Sequence, residues 1–441
     1  MAEGQACRDF GSFHASNVQE LLALPEEKYH PPSLPFTLPS FDQYCESKIQ
    51  FGKTCRKQHF LLKEDCTFLN HGAFGAALSQ ALLAAQQWQQ CVERQPLQFF
   101  DRELLPHLVY ITRRLAKFVG CDPLDLALVL NATTGINCVL RSLKFAHGDV
   151  IVCLNVTYGA VKKILRQVCE DTGAMLREVP ITFPVHGEHQ VVEAVKCAIA
   201  EGDVKLAVLD HVPSNTPILL PLDEIIQLCH QHGVQVLVDG AHALGALPLN
   251  LKQLDPDYYV SNAHKWFCNP KGAAFLFVRR ELQKYIHPLT ISHGYGSGFN
   301  SEFMWAGLHD YSPFLALHTV LDFWQAVGPD RIRLYIEHMA KYAAEVLTST
   351  WKTQLAAPLS LFGSMILVEL PQGLCPMGQE VDYVAAERIQ NMLYHRFNIE
   401  VPIKAVQGRL YVRVSVHIHN SEDDIQTLAM AVSKLLTSIS L

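Results

Sequence analysis

Between residues 126 and 278 short apolar runs alternate with stretches of helical periodicity, and this alternation limits the fold more than any other feature of the chain. The runs are Leu126 to Leu130, Asp149 to Leu154, Ala174 to Val179, Lys205 to Leu209, Val234 to Val238, Tyr258 to Val260 and Gly272 to Val278. Several are apolar on both faces, as strands buried between helix layers must be. Helices are expected between them over 135–146, 158–172, 189–201 and 221–232. The pattern predicts an α/β fold with one mostly parallel sheet of about seven strands.

The flanks read differently. Residues 1–50 end in Pro31-Pro32-Ser33-Leu34-Pro35-Phe36-Thr37-Leu38-Pro39, too dense in proline for helix or central strand, and are expected to form an extended arm. Amphipathic helices are predicted over 76–94 and 103–119. Beyond residue 310, long helices and the strands Phe362 to Leu370 and Arg409 to Val416 predict a smaller α+β domain over 311–441. The large domain is then 51–310, with 51–100 as its N-terminal segment.

Composition removes several function classes. The net charge of −7, with no basic block, disfavours nucleic acid as a partner. No apolar run approaches the length of a membrane span, and Met1 to Cys7 has no leader-like pattern, so a cytoplasmic location is expected. The 13 cysteines are scattered singly without a Cys-x-x-Cys pair, and no His-Glu-x-x-His occurs, so neither a disulfide framework nor a metal site is expected. A small molecule is the expected partner.

In a parallel α/β sheet ligands collect at the carboxyl ends of strands. The run ending at Leu130 continues into Asn131-Ala132-Thr133-Thr134-Gly135 and a helix start, which is either a phosphate cradle or a simple cap. Tyr158 follows the next run, placed to stack on a flat heterocycle or to fill the core. The loop Asp210-His211-Val212-Pro213-Ser214 could meet a ring oxygen or a substrate. Asp239 stands just beyond a buried strand, where a protonated ring nitrogen would justify it, although a cap or an ion pair would serve too. Lys265 sits in a strand–turn–strand segment with His264 beside it. Partial burial there would lower its pKa and free the amine to form a Schiff base, the alternative being an ordinary turn lysine. Asn70 and His71, in a glycine-containing loop, could reach a ligand. Phosphate cradle, stacking aromatic, pyridinium partner and lysine are jointly the parts that pyridoxal 5′-phosphate requires.

At these residues the chain resembles the class V aminotransferase family of fold type I, and within it the branch of isopenicillin N epimerase and the ergothioneine-pathway C–S lyases. The stretches that carry the resemblance are Leu69-Asn70-His71-Gly72, Asn131-Ala132-Thr133, Tyr158-Gly159-Ala160, Val238-Asp239-Gly240-Ala241-His242, Asn262-Ala263-His264-Lys265-Trp266 and Arg413-Val414-Ser415. The resemblance implies a homodimer with pyridoxal phosphate bonded to Lys265, its ring nitrogen on Asp239, its ring under Tyr158 and its phosphate on Thr133 and His264. Ala132, Thr134, His211, Ser214 and His242 are further expected cofactor-binding positions. Arg413, with Asn70 and His71, is expected to bind the carboxylate of an amino-acid substrate, although an exposed structural arginine on a strand remains open.

Two departures stand out. Where the branch has Gly-Thr-x-Asp, this chain has Gly307-Leu308-His309-Asp310, and leucine cannot donate to a partner's phosphate. The mobile cysteine loop of cysteine desulfurases is missing; Cys268 and Cys375 lie in other contexts. The expected activity is C–S β-elimination, with epimerase, transaminase or a non-catalytic binding protein as the alternatives.

Overall fold

The computed structural model describes residues 18–46, 49–375 and 380–439. The segment read for a targeting signal and the first 17 residues of the expected arm lie outside them.

Among the described residues there are twelve strands: β1 (Thr67–Phe68), β2 (Leu126–Val129), β3 (Val150–Leu154), β4 (Met175–Val179), β5 (Val204–Asp210), β6 (Gln235–Asp239), β7 (Tyr258–Asn262), β8 (Ala274–Val278), β9 (Met365–Glu369), β10 (Ile399–Glu400), β11 (Ile403–Val406) and β12 (Arg409–Ser415). Seven of them form one sheet in the order β2-β8-β7-β6-β5-β3-β4. The stretch from β4 to β7 is parallel, while β2–β8 and β7–β8 pair antiparallel. Every residue of β3, β7 and β8 is buried, because helices such as Leu104–Val119 and Ala132–Ser142 cover the sheet. Full burial of each such Val, Leu or Ile side chain contributes about 1.5–3 kcal/mol.

Two consequences of this order place the site. The antiparallel β7–β8 pair puts the intervening loop 263–273 at the end where β5 and β6 also finish. Register pairs Asp210 directly with Asp239, so two carboxylates stand side by side at the last rung of β5 and β6.

A second sheet, β11-β12-β9, is antiparallel and packs with the long helix Pro329–Trp351, against which the helix Glu422–Ile439 packs in turn. The segment from residue 51 is tied to the C-terminal part of the chain. It does not join the seven-stranded sheet: β1 pairs parallel with β10, Gly52 donates its N–H to Ile418 O (2.8 Å), and Lys53 pairs with Asp423. Residues 51–69 are therefore held against the C-terminal part of the chain by long-range pairing that local periodicity does not encode. The arm is also not wholly extended, since Val18–Ala23 is a helix whose Leu21 and Leu22 carbonyls accept from Arg113 Nη1.

Candidate active site

The loop after β7 carries Lys265, and the chain grips it from both sides. Ser261 donates to Gly240 O (2.5 Å) and accepts from Leu244 N–H (3.2 Å), tying β7 to the loop that follows Asp239. From the opposite side the short helix His71–Phe74 ends at Gly75, whose φ is +67°. A Cβ at Gly75 would lie 2.0 Å from His264 O, so only glycine allows this close an approach to the lysine backbone.

The Lys265 amine lies 3.2 Å from His242 Nε2. Burial holds its pKa down at about 8, against the pull of Asp239 and with the help of the Arg413 charge. Such an amine is a nucleophile near neutrality. Asp239 is buried, with Oδ1 accepting from Ala241 N–H (3.0 Å), and burial raises its pKa. Asp210 beside it is pushed up to about 8 by burial and then by the Asp239 charge. Two buried carboxylates at one rung cannot both ionise cheaply unless a cation joins them.

Several polar atoms here have no partner within the chain. Asp210 Oδ2, His264 Nδ1 and Arg413 Nε are buried and unbonded. Thr133 is exposed at the start of the helix Ala132–Ser142. The Tyr158 ring is 45 % exposed, with its backbone N–H 3.4 Å from Asp210 Oδ1. A hydroxyl at a helix start, an exposed aromatic ring, an unbalanced acidic pair and a reactive amine fit a flat, phosphorylated, cationic-ring cofactor. Pyridoxal phosphate has each of those features.

Other expected positions have different employment. Ala132 donates its amide to Asn262 Oδ1 (2.9 Å), and Thr134 gives both amide and hydroxyl to Asn131 Oδ1 (2.8 and 3.1 Å). Asn131 is therefore the residue that caps this helix, and of the three Thr133 is the exposed one. Ser214 accepts from Arg413 Nη1 through its carbonyl (2.6 Å) and hydroxyl (3.3 Å), while Asn70 Oδ1 accepts from Nη2 (2.8 Å). Both hold the arginine in place, and Glu400 in turn holds Asn70 (2.9 Å). Arg413 is 3 % exposed, which corrects the alternative of an exposed structural arginine. His211 bonds the Tyr259 hydroxyl (2.8 Å), and burial keeps its pKa at about 4.

His71 has its partners within the chain. It is fully buried on the backbone side of the lysine, with Nε2 3.0 Å from Lys265 O and Nδ1 3.0 Å from His419 Nε2. His417 Nε2 likewise meets Trp266 O at 3.0 Å. Among the described residues His71, Cys268 and His417 have donor atoms within 4.8 Å of one another, a spacing that a metal ion could use. Their N–H groups are already engaged by the two carbonyls, and burial holds the Cys268 thiol well above its usual range, so the cluster reads as a clamp on the lysine backbone. Asp210 was expected only as part of a loop that could meet a ring oxygen or a substrate. Its signal was present, an aspartate ending a strand next to the one ending in Asp239, but only the register makes them neighbours.

A mostly parallel seven-stranded sheet with a lysine-bearing loop at its carboxyl edge, over a buried aspartate, defines a fold-type-I pyridoxal-phosphate enzyme. The chain belongs to the class V aminotransferase family, whose profile, described as Aminotransferase class-V, matches residues 102–428. It is 33 % identical over 404 residues to putative L-cysteine desulfhydrase 1 of Oryza sativa subsp. japonica, covering 83 % of each chain. It is 28 % identical over 361 residues to isopenicillin N epimerase of Amycolatopsis lactamdurans, covering 77 % of this chain and 88 % of that one. Among solved structures, the cystine C–S lyase C-DES in complex with its reaction product cysteine persulfide superposes with a TM-score of 0.72 at 22 % identity, over 85 % of this chain and 98 % of the other. The expected branch is thus the right one, and the chain is a pyridoxal-phosphate-dependent enzyme. No helix among the described residues is long and apolar enough to cross a membrane.

Proposed function

We propose that the chain is a cytoplasmic, homodimeric C–S lyase that removes a sulfur leaving group from Cβ of cysteine or a cysteine conjugate. The observation that carries this reading is the 33 % identity to a putative L-cysteine desulfhydrase across 83 % of both chains. The site supports it on a separate ground. Cys268 is the cysteine nearest the lysine in sequence, yet it is buried with its thiol held well above its usual range, so sulfur would leave into solution and not onto this thiol.

Arg413, fixed by Ser214 and Asn70, would bind the substrate carboxylate with its remaining N–H groups. Lys265 would bond the cofactor and then, with its amine freed by substrate, take the Cα proton; a base near neutrality suits that task. Asp239 would keep the ring nitrogen protonated, Tyr158 would stack on the ring, and Thr133 with His264 would take the phosphate. His242 and His211, which follow β6 and β5, would be further ring contacts. Bound pyridoxal phosphate supplies an electron-poor ring that stabilises negative charge at Cα. Departure of the Cβ–S electron pair with sulfur then completes the elimination.

A dimer is supported by large apolar side chains left bare, with Phe74, next to the glycine that packs on the lysine loop, 74 % exposed and Leu308 70 % exposed. Residues 51–310 and 311–441 are proposed as the two functional units, with the N-terminal strip 51–69 lying against the smaller one.

The test is to incubate purified protein and pyridoxal phosphate with L-cysteine and with S-substituted cysteines in deuterated buffer. Sulfide or thiol released together with pyruvate supports the lyase. Deuterium entering Cα without pyruvate replaces it with epimerisation, the activity named for the Amycolatopsis relative.

A further inference from the structure

Trp266 directly follows the reactive lysine and is fully buried. Its indole N–H, which can only donate, lies 3.2 Å from His242 Nδ1. The other nitrogen of the same ring, Nε2, lies 3.2 Å from Lys265 Nζ. The first link of this chain decides the rest. Nδ1 must accept from the indole, and burial keeps the ring neutral, so its single proton belongs on Nε2. An N–H aimed at an amine needs a lone pair there, and an ammonium has none to offer.

We propose that Trp266 is a positioning residue: its indole N–H fixes His242 with the proton on Nε2, so that the Lys265 amine receives a hydrogen bond from the ring and does not give one. This rests on the assignment of Lys265 as the reactive amine and extends it to a residue that acts through its neighbour. The indole is held so that it cannot easily turn away. A Cβ at Gly72 would come within 3.4 Å of its Cζ2, the His417 ring stacks against it at 6.0 Å and 22°, and a Cβ at Gly245 would lie 2.8 Å from the Trp266 carbonyl oxygen. The same arrangement leaves the Nε2–H pointing at whatever acceptor replaces the amine, including an anionic ligand oxygen.

Other groups act on the amine as well. Asp239 and Asp210, from the ends of β6 and β5, favour the ammonium, while Arg413 from β12 and burial oppose it. His71 meets only the backbone carbonyl of Lys265. Without the indole N–H, His242 is free to move its proton to Nδ1 and accept from an ammonium at Nε2. That exchange would favour the charged lysine.

The experiment uses the full-length chain freed of cofactor with hydroxylamine. Lys265 is labelled with trace acetic anhydride between pH 6 and 11 and read by peptide mass spectrometry. A labelling midpoint near 8 is expected for the wild type. In Trp266→Phe the midpoint should rise by about one pH unit, leaving Lys265 roughly tenfold less reactive at pH 7. An unchanged midpoint in a variant that melts as the wild type does would overturn the proposal. Should Trp266→Phe not fold, ¹⁵N spectra of the wild type decide, with the His242 signal assigned through His242→Gln. The Nε2–H tautomer supports the relay and the Nδ1–H tautomer removes it. Neither readout needs turnover, so failure of the lyase reading would show separately, as absence of sulfide and pyruvate with a normal labelling profile.

Discussion

Two clusters of polar residues flank the Lys265–Trp266 segment, and they differ in what they leave unbonded. On the side-chain face, Asp210 Oδ2, His264 Nδ1 and Arg413 Nε have no partner, and two carboxylates share one rung. On the backbone face, His71, His417 and His419 are more deeply packed, and their ring N–H groups serve the Lys265 and Trp266 carbonyls or one another, with His419 Nδ1 left unbonded. Burial holds the pKa of each of these three histidines below the usual range, so all are neutral. The larger unmet capacity, which includes a carboxylate and a guanidinium, marks the face built for a ligand, and the mostly engaged set marks the scaffold that holds the lysine. The number of histidines on a face says little; the unbonded atoms say more.

Substitutions on the two faces should therefore fail in different ways. The largest effect is expected from Lys265→Ala, which should lower turnover by about 10³-fold or more while leaving the denaturation midpoint close to that of the wild type. It should also abolish the borohydride-trapped mass increase by pyridoxal phosphate. Retained trapping elsewhere in the chain would break the assignment of the face. His417→Ala should do the reverse and cost about 1–3 kcal/mol of stability in urea titrations, because the buried Trp266 carbonyl loses its donor. Equal loss of activity and no loss of stability would mean that the two faces are not distinct.

A third effect is set by pH. In the folded chain Asp210 keeps its proton up to about 8, whereas in the unfolded chain it loses it near the ordinary carboxylate value. The native state then binds the extra proton between those limits, so this group's contribution to stability is present at low pH and is lost as pH rises through about 8. Cofactor-free Asp210→Asn should show a flatter decline of urea midpoint from pH 5 to 8 than the wild type, and parallel curves would remove Asp210 from the pair. The smallest effect belongs to Leu308→Thr. If a partner's phosphate lies over this exposed position, restoring a hydroxyl should slow cofactor loss on dilution by a few-fold, about the value of one net hydrogen bond. An unchanged rate would place the phosphate elsewhere.

The arrangement of the large sheet was legible because its signals are local. Strands covered on both faces are written as apolar runs, and loops are written in glycine, proline and small polar residues. The lysine loop, the aspartate ending β6 and the helix start after β2 could be placed from those signals alone. Partners that lie far along the chain are what such local signals leave out. His71, Ser214 and Asn70 were read as ligand contacts because each lies in a polar loop, yet each meets a partner far away in the chain: His71 meets His419, and Ser214 and Asn70 meet Arg413. The pairing of β1 with β10 belongs to the same class, since a two-residue strand has no periodicity to detect.

What the sequence determined by itself, then, was the layered α/β architecture, the edge at which chemistry would gather, and the lysine and aspartate that define it. Those follow from hydrophobic periodicity and chain breakers, which act over a few residues. The tertiary structure decided which neighbours those residues have: Asp210 beside Asp239, His242 between Trp266 and Lys265, and the histidines of the C-terminal part beneath the lysine backbone. Strand order, register and long-range packing fix such contacts, and hydrogen bonds across hundreds of residues leave no pattern in any short stretch of chain.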